Sequence, residues 1–495
     1  MTKKSFLKCS QGVLLALILA VLSEPLEGSG LEVLSHFRLN SSDVSAFEEG
    51  GANRNRIEVG PSGTLHVAFS GVIKGKALTD VFFRRSLPEG KWDELKQLSE
   101  EKLQHRAPAI WVGDEDKIHY AWLAHDDRRQ QERVGLRYRK SEDGGASWSK
   151  VHEFDVGIVV ARVPVLEGDS QGNLYLCISN RGQKEDQERI ILFRSGDEGE
   201  SWEQVDVHNG EERLFAVNPP RLVSGGEGKA YLAWLDSTPG GRAVVFAQTS
   251  DGGKSWSKAV PLNDDLTRVL SDPVMTFDQG KIQVTWVESS GRRSSIYVDY
   301  SDDGGESWHP DQLLYQEPVS AVSLKSTQVH GKLLILWQDY RELLWQRGER
   351  LLYRLYPQDE VPEQLEQPKN RSLTGSLDNL LSFRGFEVVP VGDEGCVGVY
   401  SKKTLDGRPT IYVSRSQKLI EGFEEVVAVS KDNGTMESLW PHVRKVSDKE
   451  LVILYNQIQV LTGLEQRPRK LLGNLILTRV RLQDREPSSE AEQSE

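Results

Sequence analysis

Cysteine is nearly absent: three residues in a chain of 495. Cys9 lies in the leader, and Cys177 and Cys396 fall in corresponding strands of two distant repeats. Held in separate repeats, they are not expected to approach to the few ångströms between Cα atoms that a disulfide needs. A small disulfide-stapled domain is thereby excluded, and stability must come from a large buried core. Histidine is also scarce, ten residues without a paired helical spacing, which excludes the common zinc motifs. There is no Gly-x-Ser-x-Gly elbow and no calcium loop ending in a ligating Glu. We therefore expect no metal and no cofactor. The net charge is −13 with no basic stripe, so neither nucleic acid nor anionic lipid is an expected partner.

Long apolar runs are missing as well. The one candidate, residues 13–22, follows Lys3, Lys4 and Lys8. About ten residues are too few to span a bilayer but suit a signal peptide. We read residues 1–23 as that signal, with cleavage after Ser23. A short uncleaved anchor is the alternative. Export to the periplasm or the cell exterior follows, with no membrane span after cleavage. The tail 483–495 is acidic and polar and is expected to be disordered.

What the chain does contain is repetition. "SEDGGASWSK" at 141–150 returns as "SGDEGESWEQ" from Ser195, "TSDGGKSWSK" from Thr249 and "SDDGGESWHP" from Ser301. The four tryptophans, Trp148, Trp202, Trp256 and Trp308, are 54, 54 and 52 residues apart. A fixed period of about 40–55 residues marks a repeat architecture. Within each copy, Asp followed two residues on by Gly is turn chemistry: the carboxylate accepts nearby backbone N–H groups and Gly takes a positive φ. The Trp supplies a rigid apolar body, with an indole N–H in search of an acceptor.

A second pattern extends the count. Turn-plus-strand units recur as "PSGTLHVAFS", "DEDKIHYAWL", "SQGNLYLCIS", "GEGKAYLAWL", "DQGKIQVTWV", "VHGKLLILWQ", "GDEGCVGVYS" and "SDKELVILYN". Each joins a Gly- or Asp-rich turn to a strand of β-branched and aromatic residues. Eight units of about 54 residues leave no room for a separate domain. "PQDEVPEQLEQPKNRSLTGS", from Pro357, is the one long interruption.

The Ser/Thr-x-Asp-x-Gly-x-Ser-Trp loops resemble the Asp-box, or BNR, repeats of sialidase-like β-propellers. The resemblance implies an all-β fold over residues 31–482, a β-propeller of four-stranded antiparallel blades. Eight blades are expected where sialidases have six. The last unit offers only three strands, so residues 31–39 are expected to supply its fourth and close the ring, leaving no free sheet edge.

The resemblance also implies where a ligand binds: at the channel mouth, built from the starts of innermost strands and the loops leaving the second strands. Arg56, Arg106, Arg162, Asn218, Asp272, Lys325, Arg384 and His442 open the inner strands. Asp126, Asp127, Arg128, Asn180, Arg181, Asp236, Glu288, Asp339, Tyr340, Arg341, Asn456 and Gln457 follow the second strands. Arginines converging on one axis can grip a carboxylate bidentately. The ligand set carried forward is Arg56, Arg106, Arg162, Asp126, Arg181, Asp236, Arg341 and Arg384.

Sialidase chemistry requires three arginines, an Asp acid/base and a Tyr–Glu nucleophile pair. "NRIEVGPSGTLHVAF" makes Arg56 the candidate first arginine, although Glu58 stands where that family has Pro. Asp339, Tyr340 and Glu288 are the catalytic candidates, and Asp80 is a second-rank one. The set is incomplete. The expectation is an exported propeller that binds an anionic glycan or a protein without turnover, the alternative being a glycosidase or polysaccharide lyase at the same mouth. Asn40, Asn370 and Asn433 head glycosylation sequons, which matter only where the host glycosylates exported chains.

Overall fold

The computed structural model describes residues 30–47, 57–126, 133–158, 160–161, 163–181, 188–207, 220–238, 241–265, 271–290, 293–317, 320–343, 346–357, 371–372, 383–403, 408–418, 423, 425–430, 436–459 and 472–483. All regular structure among them is β apart from two single 3-10 turns, Pro88–Gly90 and Asp114–Asp116. The strands form antiparallel groups in which neighbours in sequence are neighbours in space. Gln104–Val112, Ile118–Asp126, Arg133–Ser141 and His152–Ile158 are one such group.

Six groups are separate sheets, and a nine-stranded sheet contains the remaining strands. Its first part begins at Ile57–Val59 and Leu65–Ile73, and its last at Met436–Ser447, Glu450–Gln459 and Leu472–Leu482. Val44–Phe47 pairs with both parts. The N-terminal strand Leu31–Arg38 pairs antiparallel with Leu472–Leu482, from Leu31 opposite Leu482 to Arg38 opposite Ile476. Asn40 pins this junction. Its Nδ2 donates to the Val44 carbonyl at 2.6 Å, and its Oδ1 accepts the Leu475 N–H at 2.8 Å. At 2% exposure this amide is structural in the folded chain, whatever its sequon suggests.

We number the groups one to eight by their first strands: Ile57–Val59, Gln104–Val112, Val165–Gly168, Arg221–Gly226, Val274–Asp278, Ser320–Val329, Phe383–Val391 and Met436–Ser447. Each first strand packs on the next, and the eighth packs on the first. The core is divided in the same way. Eight apolar clusters each span two successive groups, such as Phe83 with Tyr120 and Trp122, or Leu454 and Leu477 with Ile57 and Phe69. Both faces of a strand are therefore buried, which is why Gly395–Lys402 is buried at every position.

The repeated loops lie between groups. In the first copy Asp143 Oδ1 accepts the Ser141 hydroxyl at 2.8 Å and the Ser147 N–H at 2.8 Å, and Oδ2 accepts the Ser147 hydroxyl at 2.6 Å. Asp197, Asp251 and Asp303 repeat this pattern. Burial works against ionisation of Asp143, but these donors hold it at about 2. Gly145 needs its positive φ of 91°, and a Cβ there would meet the Phe83 ring at 2.3 Å. Each Trp packs edge-to-face on an aromatic ring of the preceding group: Trp148 on Phe83, Trp202 on Tyr138, Trp256 on Tyr175, Trp308 on Phe246. The four indole N–H groups are buried and have no oxygen or nitrogen acceptor among the described residues, so the acceptor expected from sequence is not found there.

Candidate functional site

Four first strands are interrupted in the same way. Register shifts fall between Arg106 and Ala109, Val322 and Lys325, Phe383 and Phe386, and Leu439 and His442. Each bulge contains a residue of positive φ: Ala107 at 54°, Ser323 at 56°, Gly385 at 95° and Trp440 at 53°. Bulges of this kind re-aim side chains and gather next to functional sites. Beyond them, register aligns Ala109, Lys325, Glu387 and His442 opposite Ala121, Leu336, Val399 and Leu454.

Three of those aligned side chains meet. Glu387 Oε1 lies 3.0 Å from His442 Nδ1 and 3.6 Å from Lys325 Nζ. Glu387 Oε2 accepts the Val443 N–H at 2.9 Å and faces Arg444 Nη1 at 3.4 Å. Arg444 then reaches Glu58 of group one, Nη2 to Oε1, at 3.5 Å. A row of alternating charge thus crosses groups six, seven, eight and one. It is open on one side: Lys325 keeps 43% and Glu387 18% of its side-chain surface exposed.

The two carboxyls of the row are driven apart. Burial would raise Glu387, but His442, Lys325 and Arg444 hold it well below the ordinary carboxylate range. Burial raises Glu58, with Arg444 only partly opposing it. The Arg444 guanidinium, which burial alone would weaken, is held more firmly protonated by Glu58 and Glu387.

A second polar centre lies in group two. Arg106 Nε donates to His125 Nε2 at 2.7 Å, and Nη2 is 3.1 Å from Nδ1 of the same ring. Burial, then the Arg106 charge, pushes His125 down to about 3, so the imidazole is neutral at physiological pH. Behind it His105 Nδ1 accepts the Trp122 indole N–H at 3.0 Å, leaving Nε2 to donate to the Glu101 carbonyl at 3.2 Å.

Of the mouth residues expected from sequence, Lys325 and His442 are brought together, and Arg106 joins His125. Asp236 and Glu288 are 1% and 7% exposed, and each accepts the indole N–H of the Trp two residues earlier, from Trp234 at 3.1 Å and Trp286 at 3.2 Å. These bonds suit an anchoring role. Asp126 ends the strand Ile118–Asp126. Asp80 is buried and accepts the Ser99 hydroxyl at 2.8 Å. Arg56, Arg162, Asn218, Asp127 and Arg128 lie outside the described residues. For Arg181, Asp339, Tyr340, Arg341 and Arg384 the backbone is in strand, and the side chains lie outside the described residues.

Sequence reasoning missed Glu387, Arg444 and His125 as site residues. A signal existed for Arg444, which lies two residues beyond His442 and so on the same strand face. The Trp-x-Asp and Trp-x-Glu ties to Asp236 and Glu288 were legible by the same rule. Among the described residues no group of His, Cys, Asp and Glu could hold a metal ion.

A family model described as "BNR repeat-like domain" matches residues 63–353. No curated protein matches the sequence. Among solved structures, the polysaccharide lyase Uly1 aligns at a TM-score of 0.49 and 11% identity, over 91% of this chain and 99% of that one. A protein of unknown function from Dyadobacter fermentans aligns at 0.42 and 10%, over 92% and 100%. The GH93 α-L-arabinofuranosidase of Fusarium graminearum aligns at 0.39 and 13%, over 75% and 92%.

Proposed function

The chain belongs to the BNR repeat-like domain family, and from that premise we propose that it is an exported eight-bladed propeller whose mouth binds an acidic glycan without cleaving it. One observation carries this reading. Lys325, 43% exposed, is the most exposed member of the charged row, whereas the expected mouth carboxylates Asp236 and Glu288 are buried against tryptophans. A cation more exposed than the carboxylates around it favours an anion over a cation as ligand. The eight groups are read as eight blades, with Leu31–Arg38 completing the last.

The test is binding of acidic oligosaccharides by calorimetry, alongside release of fluorophore from a sialoside. Arg106→Ala is expected to weaken binding by about 1.5–3 kcal/mol, the range for a hydrogen bond to a charged group. Little or no fluorophore release is expected. Robust turnover abolished by Tyr340→Phe would replace the binder with a sialidase.

A second reading rests on Glu58 and Glu387. A carboxyl raised by burial and one held well below the ordinary range, on the two arms of one guanidinium, suit an acid/base division of labour. Turnover of any acidic polysaccharide that disappears in Glu58→Gln would favour this glycosidase or lyase alternative.

A further inference from the structure

Trp440 has no assigned role in the site, yet its geometry is the least comfortable there. It sits in the bulge of group eight at a φ of 53°, a region that bulky side chains seldom enter. The bulge itself does not require an indole. The corresponding positive-φ positions in groups two, six and seven hold Ala107, Ser323 and Gly385. The neighbouring strand makes room for it. A Cβ on Gly385 would come within 3.0 Å of the Trp440 Cα and 3.5 Å of its Cδ1. Such strain persists where the surrounding structure imposes it and function uses it.

Placement supplies the rest. Trp440 is half-buried, two residues before His442 and over a glycine two residues before Glu387, beside the charged row. No described residue takes its indole N–H. We propose that Trp440 is the sugar platform of the mouth, an aromatic face on which one pyranose ring of the acidic glycan stacks through its apolar C–H face. The electron-rich indole face attracts those hydrogens, and a rigid ring gives contact at little entropic cost. The charged row beside it then meets the carboxylate of the same sugar. This rests on the glycan-binding reading above and names the residue that selects a ring, whereas Lys325 and Arg106 select a charge.

The experiment measures Kd for a galacturonate tetrasaccharide, for sialyllactose and for neutral maltotetraose, together with melting temperature. The proteins are the parent, Trp440→Gly, Trp440→Asn, Trp440→Phe and Arg106→Ala. Gly and Asn both tolerate positive φ. They are expected to keep the parent's melting temperature while losing about tenfold in affinity for the acidic probe that binds, one step on the logarithmic affinity scale. Trp440→Phe should retain most of the affinity. Unchanged affinity in Trp440→Gly and Trp440→Asn, with loss in Arg106→Ala, overturns the platform and leaves the glycan-binding reading intact. A lower melting temperature in both, restored by Phe and without an affinity change in the folded fraction, makes Trp440 a packing wedge and also overturns it. If the parent binds none of the probes, the glycan-binding reading falls and the platform falls with it.

Discussion

Asp299 is 1% exposed, in the strand Arg293–Ser301, where it accepts the Tyr300 N–H at 2.7 Å. Burial, then the nearby Asp311 and Asp264 carboxylates, raises it to about 8, and Asp311 itself is raised by burial to about 6. A carboxyl raised on folding binds its proton more tightly in the native state. Its contribution is therefore complete below the unfolded value near 3.8 and is lost as pH rises toward 8. His66 acts on the other side. Burial lowers it to about 4, so native stability falls as pH drops below 6.5, by at most about 1.4 kcal/mol per pH unit. Asp299→Asn should raise stability by ~2 kcal/mol at pH 8 and change it little at pH 4, leaving the acid limb in place. Chemical denaturation at both pH values checks this, and equal effects at the two would show that burial does not hold the proton on Asp299.

Each Asp-box loop joins the third and fourth strands of its own group but does its holding on the group before. Arg85 donates to the Asp143 and Gly144 carbonyls at 3.0 and 2.8 Å, and Lys96 to the Gly145 carbonyl at 2.7 Å. Lys117 pairs with Glu198 and Lys140 with Glu200, each at 2.7 Å. With the Trp wedge, the loop is a latch between neighbours. Trp202→Ala, which empties the space beside Tyr138 and Phe154, should cost about 3 kcal/mol in urea unfolding, and Trp202→Phe less than half of that. Equal losses would assign the effect to something other than ring packing. These latches were legible in sequence because the same Asp, Gly and Trp chemistry is spelled out four times at near-constant spacing. The bulges were not. A one-residue register shift at Ala107 or Ser323 leaves no compositional trace, and only Pro108 and Pro441, next to two of the positive-φ residues, hint at it. The indole partners were half legible: the Trp was expected to seek an acceptor, and among the described residues its N–H has none while its ring packs on an aromatic neighbour.

The four latches serve groups two to five, whereas the charged row runs from six through eight to one, so neighbouring groups are tied by loops along one stretch and by charges between first strands along the other. No local pattern could announce the Arg444–Glu58 contact, since its partners stand 386 residues apart. Removing one partner of a paired buried charge costs about 3–5 kcal/mol, less where water reaches it. Glu387→Gln, which takes the carboxylate away from Lys325, His442 and Arg444 at once, should cost about 2–3 kcal/mol and sharpen the dependence of unfolding on salt. A loss below 0.5 kcal/mol, within the usual range of surface substitutions, would reduce the row to solvated ion pairs. At the seam of group eight Gln483 donates its N–H to the Gly30 carbonyl at 2.8 Å, and Arg415 donates to the Gln483 and Gly30 carbonyls, at 2.8 and 3.2 Å. Start and finish of the described ring are hydrogen-bonded neighbours, so the order in which the groups are written along the chain is arbitrary with respect to the fold. A short linker from 483 to 30 and a new opening at the turn after Ser447 define a circular permutant with every sheet intact. Such a chain would make its Leu31–Leu482 pairing within one continuous segment, and the last contact to form would move from the seam to the hairpin that had been cut.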